Sequence, residues 1–313
     1  EHDIRKYLVH RERKSLGLRF DYNLGNTELY TDLNYNDRDD YENRYRQRIK
    51  DLDEGEGSQE IRRQTKAGLP GNEYGRLEDQ KLFSYKFGGT SLLDKLKLDY
   101  SFKISEASEL RPNERYLALR LKKQTAVWNQ STEKPNFTFS NAIAADLNNS
   151  WDFRNLIEER RDTDEKARSF KVDADYNFSD NLKIEAGLKI STRKKERRNE
   201  FYEFEPVDED AFLADAFSNI VSQNKSEWLN DGDGTSYNSG SYVSREFVGN
   251  LDLSNTALFE RVVVEEELAG NFKASEDITS FYGMATYDYS DRLLIVGGLR
   301  LERTSLYDLE ARS

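Results

Sequence analysis

Lys171, Asp173, Asp175, Lys183, Glu185 and Lys189 put charge at every second position through much of residues 170–190. Asp173 beside Lys183 or Glu185 could serve as an acid/base pair. Ion pairing across neighbouring strands explains the same residues more simply. The two histidines, His2 and His10, both lie near the start. His10 sits in the charged run Arg11-Glu12-Arg13-Lys14 with no second histidine nearby to share a metal, so a solvated face is expected. The chain has no cysteine, which excludes a disulfide frame, a thiol nucleophile and a zinc–thiolate site. Asp231-Gly232-Asp233-Gly234-Thr235 has a calcium-like composition. It misses the EF-hand spacing, because position one of that loop falls on Leu229, and a plain loop is expected. No P-loop, GxGxxG or nucleophile elbow is present. Trp128, Trp151 and Trp228 offer flat faces on which a ligand could stack, or staples that tie loops together. No catalytic residue, metal site or cofactor is expected.

The charged positions alternate with apolar ones. Phe170, Val172, Ala174, Tyr176 and Phe178 make one apolar row, and Leu182, Ile184, Ala186, Leu188 and Ile190 make the next. Successive side chains of a strand point to opposite faces, so this period of two predicts a hairpin with one oily and one charged side. Its turn is expected at Ser179-Asp180-Asn181, where Ser and Asp bond locally to the backbone.

Three further hairpins follow the same grammar. The four are expected near 14–37, 76–106, 164–194 and 276–306, with turns at Gly25-Asn26-Thr27, just after Gly88-Gly89, at Ser179-Asp180-Asn181 and at Ser290-Asp291-Arg292. Tyr176-Asn177-Phe178-Ser179-Asp180 and Tyr287-Asp288-Tyr289-Ser290-Asp291 repeat one aromatic-then-turn pattern. Between hairpins, 38–75, 107–163 and 195–275 are expected as long loops at the opposite end from the short turns. That asymmetry is the plan of an outer-membrane barrel. Within the last loop, 208–229 reads as a helix with Asp208 as N-cap, and 257–268 as a second helical pattern.

Composition agrees. Hydrophobic residues make up 36% and mean hydropathy is −0.90, yet aromatics reach 12%, with 18 Tyr and 17 Phe. A soluble protein of this size would be short of core; a sheet with lipid on one side and water on the other would not. No apolar run reaches the length of about 18 residues that a transmembrane helix needs. The net charge of −12 argues against nucleic acid as a partner.

The stretch from Phe272 to Ala285, followed by Leu294-Ile295-Val296-Gly297-Gly298-Leu299-Arg300-Leu301-Glu302-Arg303-Thr304, resembles the TonB-dependent outer-membrane receptors. "GGLRLERT" is the most specific part, and Arg5–Arg13 and Leu96–Ser101 are similar to other barrel segments of that family. The resemblance implies an all-β, antiparallel transmembrane barrel of about 22 strands, closed by a plug domain and located in the bacterial outer membrane. It implies energised uptake of a scarce small-molecule or oligosaccharide ligand, such as an iron chelate, a vitamin or a glycan, with outer-membrane lipid and the TonB energy-coupling complex as partners. No plug or TonB box is visible, and about eight strands are legible, so the chain reads as an internal, partial barrel with long extracellular loops.

On this reading Phe170, Val172, Tyr176, Leu182, Ile184, Leu188, Phe281, Tyr287, Ile295 and Leu299 face lipid. Asp173, Asp175, Lys183, Glu185, Lys189, Arg300 and Glu302 face the lumen. A passive porin uses the same strands; an outer-membrane enzyme and a soluble β-sheet binding module are further alternatives. The last would need a cover for its apolar rows, and none is legible.

Overall fold

A computed structural model describes residues 1–50, 59–69, 75–128, 137–139, 141–144, 146–223 and 240–311. The first hairpin joins β1 (His2–Asn23) to β2 (Thr27–Lys50). Its turn needs a left-handed residue, supplied by Gly25 at φ +79, and Asn23 Oδ1 accepts from the Gly25 amide at 2.7 Å. β3 (Gln59–Ala67) and β4 (Arg76–Leu93) then lie end to end between β2 and β5 (Leu96–Gln124). β6 (Ala126–Trp128) and β7 (Phe137–Phe139) form a small separate ribbon. The third hairpin is β8 (Asp152–Ser179) with β9 (Leu182–Pro206). After it come α1 (Glu209–Ser218), β10 (Ile220–Ser222), β11 (Ser241–Val243), α2 (Arg245–Asn250), β12 (Phe259–Val263) and α3 (Glu265–Leu268). The fourth hairpin is β13 (Phe272–Ser290) with β14 (Leu293–Ala311).

The long strands form one antiparallel sheet in the order β1-β2-β3/β4-β5-β8-β9-β13-β14, with β12 added to β9. Each strand neighbours its successor in sequence, as in an up-and-down barrel wall. β1 and β14 are the two edges, so the described sheet is an open arc of a barrel.

Three expectations need correction. Gly88 and Gly89 lie inside β4, and the second turn falls on Asp94-Lys95, with Asp94 at φ +53. The ranges 38–75, 107–163 and 195–275 are not mainly loops, because β2, β5, β8 and β9 run far into them and β3 lies wholly within the first. β5 alone has 29 residues, whereas about 11 tilted residues cross a bilayer. Charge on these extensions hides their alternation. The helix expected over 208–229 is α1 and stops at Ser218. Asp208 caps it, accepting from the Ala211 amide at 2.9 Å, but residues 220–222 then pair with 241–243 as strands. The pattern at 257–268 is β12 plus four residues of α3, since β-branched Val262 and Val263 pair with β9.

One irregularity reorients a strand. Between Arg111 and Glu114, β5 carries one more residue than its partner β8. Pro112 lies there; it has no N–H to give the ladder and suits a bulge. The extra residue exchanges the two faces of β5. Below it the even-numbered residues Leu96 to Ile104 join the apolar rows; above it Leu117, Leu119 and Leu121 do. These leucines, with Ile61, Leu156 and Phe204, are buried under a cap built from residues 142–144, 146–151, 209–223 and 240–259. Burying each such side chain contributes about 1.5–3 kcal/mol. β1, β2, β5, β8 and β9 therefore have an exposed apolar lower part and an extension roofed by the cap on the same face.

Candidate functional site: the two faces of the wall

The lower part of the sheet sorts its side chains by face. Phe102, Phe170 and Ile190 stand in one rung, as do Tyr100, Val172, Leu188, Phe281 and Leu301. Tyr176, Ile184, Leu182, Tyr287 and Ile295 continue the belt toward the turns, and Leu299 lies opposite Gly283. All ten residues expected to face lipid share this face. Phe281 is 53% exposed and Leu299 84%. A belt of this kind, one aromatic or aliphatic residue beside another across eight strands, has no cover among the described residues. Tyr176 packs edge-on against Phe178, and Tyr287 against Tyr289 in the same way, beside their respective turns.

The opposite face carries the charges. Lys183 donates to Glu185 at 2.9 Å and lies 3.3 Å from Asp175. Lys171 pairs with Asp173 at 2.6 Å, and Arg300 with Glu302 at 2.9 Å. Lys189 stands in register between Lys171 and Ser280 on the same face. All seven residues expected to face the lumen share this side. Of their ion pairs, Lys183–Asp175 crosses between strands, while Lys171–Asp173, Lys183–Glu185 and Arg300–Glu302 each lie along one strand. Tyr282 lies over Gly187 and donates to Asp173 at 3.0 Å. A Cβ at Gly187 would stand 2.1 Å from Tyr282 Cε1 and 2.6 Å from Asp173 Oδ1. Gly187→Val is therefore expected to destabilise the folded barrel by about 1–3 kcal/mol, read from the temperature at which its folded gel band disappears. Adding Tyr282→Ala should recover much of the loss; no recovery would mean the ring contact is not its cause.

On this charged face, higher up, Arg13, Asn36, Arg38, Gln80, Glu109, Thr163 and Lys195 help line a concavity of about 690 Å³. Above it the wall holds a buried ionic cluster. Lys66 bridges Glu42 at 2.7 Å and Glu114 at 2.6 Å, Arg76 joins Glu78 at 3.0 Å, and Tyr116 donates to Glu114. Burial pushes the Glu114 carboxyl up, but Lys66, Arg76 and the Tyr116 hydroxyl outweigh it and hold it at about 2, below the ordinary 4.5. A lowered carboxyl stabilises the fold above its unfolded value and loses that contribution as pH falls through the folded one. Protection of the 59–67 and 114–121 amides from hydrogen exchange should thus decline between pH 4.5 and about 2 in the native protein, and Glu114→Gln should flatten that decline.

The tryptophan expectations resolve differently. Trp151 is 1% exposed, and its Nε1 donates to the carbonyls of Asp146 at 3.0 Å and Ile143 at 3.3 Å. One face lies against the Arg63 guanidinium, itself 5.2 Å from the Tyr242 ring. Burial lowers the Arg63 pKa, and its Nη1 donates to the Ser241 carbonyl at 2.6 Å. Trp151 is thus a staple between wall and cap, with no face left for a ligand. Trp128 lies on β6. Trp228 and Asp231–Thr235 fall outside the described residues.

Sequence reasoning passed over one group. Asp37, Asp39 and Asp79 bring carboxylates within 4.8 Å of one another, with Lys81 2.5 Å from Asp79. Only the β2–β4 register unites them, and no sequence spacing announces it.

The comparison with protein families decides what this wall belongs to. The family model "TonB dependent receptor-like, beta-barrel" matches residues 112–311, more than half of the chain. The chain belongs to that family. A comparison with curated proteins returns no match. The match begins at the β5 bulge and runs to the end of β14. The strands before it continue the same receptor barrel, because β1, β2 and β4 carry the belt onward through unbroken registers. TonB-dependent receptors are outer-membrane receptors and transporters, not enzymes, and the ion-paired charges of this barrel fit a wall better than a reaction centre.

Proposed function

We propose that this chain forms part of the barrel wall of a receptor that takes up a scarce ligand, an iron chelate, vitamin or glycan, across the bacterial outer membrane with energy from the TonB complex. The belt from Leu16 on β1 to Leu301 on β14 faces acyl chains. The charged side, with Asp173, Asp175, Lys183, Glu185, Lys189, Arg300 and Glu302, faces a wet lumen. The observation that carries this is the belt itself, eight strands wide and uncovered, backed by an ion-paired face. In water such a belt would aggregate; in hydrocarbon it needs no cover, and closure of the barrel satisfies the strand edges.

The test uses spin labels at Leu188 and Lys189 in the full receptor, reconstituted in bilayers. The Leu188 label should collide with oxygen, which concentrates in lipid, and the Lys189 label with a water-soluble nickel chelate. The reverse pattern, or water at both sites, overturns the assignment of faces. Uptake by cells should stop when a protonophore collapses the proton-motive force. Uptake that persists would make the barrel a passive porin.

A further inference from the structure

One rung of the extended wall runs Asp3, Arg48, Arg62, Arg120 and Asp152 across β1, β2, β3, β5 and β8. Three arginines directly opposite one another in neighbouring strands repel. The adjacent rung adds Arg46, Gln64 and Ala118, and Arg154 is the extra residue where β8 slips against β5. The resident acids neutralise part of this charge. Asp3 accepts from Arg46 at 2.8 and 3.0 Å and from Arg48 at 2.9 and 3.0 Å. Glu60 accepts from Arg62. Arg120 and Arg154 make no ion pair among the described residues, and the Nε of each is buried without a partner. Asp152 faces Arg120 in register, yet the two do not bond.

Arg46, Arg48, Arg62, Gln64, Arg154 and Asn155 surround a recess of about 160 Å³ with Ala118 as its small floor. A water occupies about 30 Å³ of liquid, so the recess admits a polyatomic group. It opens on the charged face, because Arg46 and Arg48 alternate with Gln47 and Ile49, which turn to the cap. Planar guanidinium forks match carboxylate and phosphate oxygens two at a time.

We infer that this arginine recess binds the oxyanion groups of the transported ligand, carboxylate or phosphate, on the lumenal wall above the belt. The inference rests on the uptake reading and narrows its ligand to an anionic one. The incoming oxyanion replaces the counter-charge that Arg154 lacks, and Ala118 leaves room for it.

The experiment is calorimetric titration of the full receptor with three probes: tricarballylate, pyrophosphate and neutral maltotriose. Tricarballylate or pyrophosphate should bind, more weakly as salt rises, and maltotriose should not; whichever anion binds separates a carboxylate site from a phosphate site. Arg62→Gln with Arg154→Gln, both lining the recess, should weaken that binding about tenfold or more, while heat-modifiable gel mobility stays that of the folded barrel. Arg62→Lys with Arg154→Lys, which keeps the charge but not the fork, should fall between. Binding unchanged in the glutamine variant, or no binding of either anion, overturns the inference. Uptake that still requires the proton-motive force in that case leaves the transport reading standing. Should the glutamine pair fail to fold, the lysine pair decides, and wild-type affinity in it counts against the fork.

Discussion

Ala186→Arg stops the barrel from assembling in outer-membrane lipid. Ala186 lies at the middle of the β9 belt, between Ala174 on β8 and Gly283 on β13. An arginine there sits near the midplane of the proposed bilayer and costs about 2–4 kcal/mol. Net stabilities of about 5–15 kcal/mol make that a large fraction, and the small neighbours offer no polar partner. The matched control is Glu185→Gln, one residue away and on the other face. It loses a charged acceptor for Lys183, which keeps Asp175 at 3.3 Å, so the cost should stay near the 0–1 kcal/mol of exposed ion pairs. Heat-modifiable gel mobility and urea titration in detergent report both. Equal loss in the two variants would show that the faces are not distinguished by lipid.

Arg115→Met has the second large effect, and it acts on the cap. Arg115 is 6% exposed. Its Nη1 donates to the carbonyls of Leu251, Gly249 and Val248 at 2.8, 2.9 and 3.3 Å, while Nε donates to Glu158 at 2.6 Å. α2 has six residues, too few to hold together without tertiary contacts, and its last carbonyls have no intrahelical donor. Methionine fills the volume but leaves those carbonyls and the Glu158 carboxylate without their cation. Breaking a buried pair from one side costs about 3–5 kcal/mol. Amides of 241–251 should lose hydrogen-exchange protection while those of 170–190 keep theirs. Protection that survives at 245–250 would mean that apolar packing alone holds the cap.

Both effects depend on which face a residue occupies, and here the sequence was informative only in part. The belt is legible because its alternation is between oil and charge. Phe170 to Ile190 reads as a hairpin without help, and the two copies of the aromatic-turn pattern mark real turns at 180–181 and 291–292. The extensions are not legible in the same way. In Asn43 to Ile49 the alternation is between arginines and a mixture of Tyr, Asn, Gln and Ile, so neither face looks like a core. What buries the second face is the cap, more than a hundred residues further along. Trp151 shows the same dependence. An isolated tryptophan in a charged stretch could stack on a ligand or on its own protein, and only the approach of Arg63 and Tyr242 selects the second.

By itself the sequence determined the strand class, the four hairpins, the sorting of oil from charge and the family. The first three follow from local chemistry: a side-chain period of two, a few turn residues and the cost of placing charge in hydrocarbon; the family was legible only through the resemblance carried by stretches such as Gly297 to Thr304. Tertiary structure alone decided how far the strands extend, where the cap lies and which charges meet. Arg48, Arg62 and Arg120 are remote in sequence and become neighbours only through the pairing of β2, β3 and β5. The face of Arg120 is set by a single extra residue at Pro112. Register is a collective property of paired strands, so one inserted residue redirects every side chain beyond it.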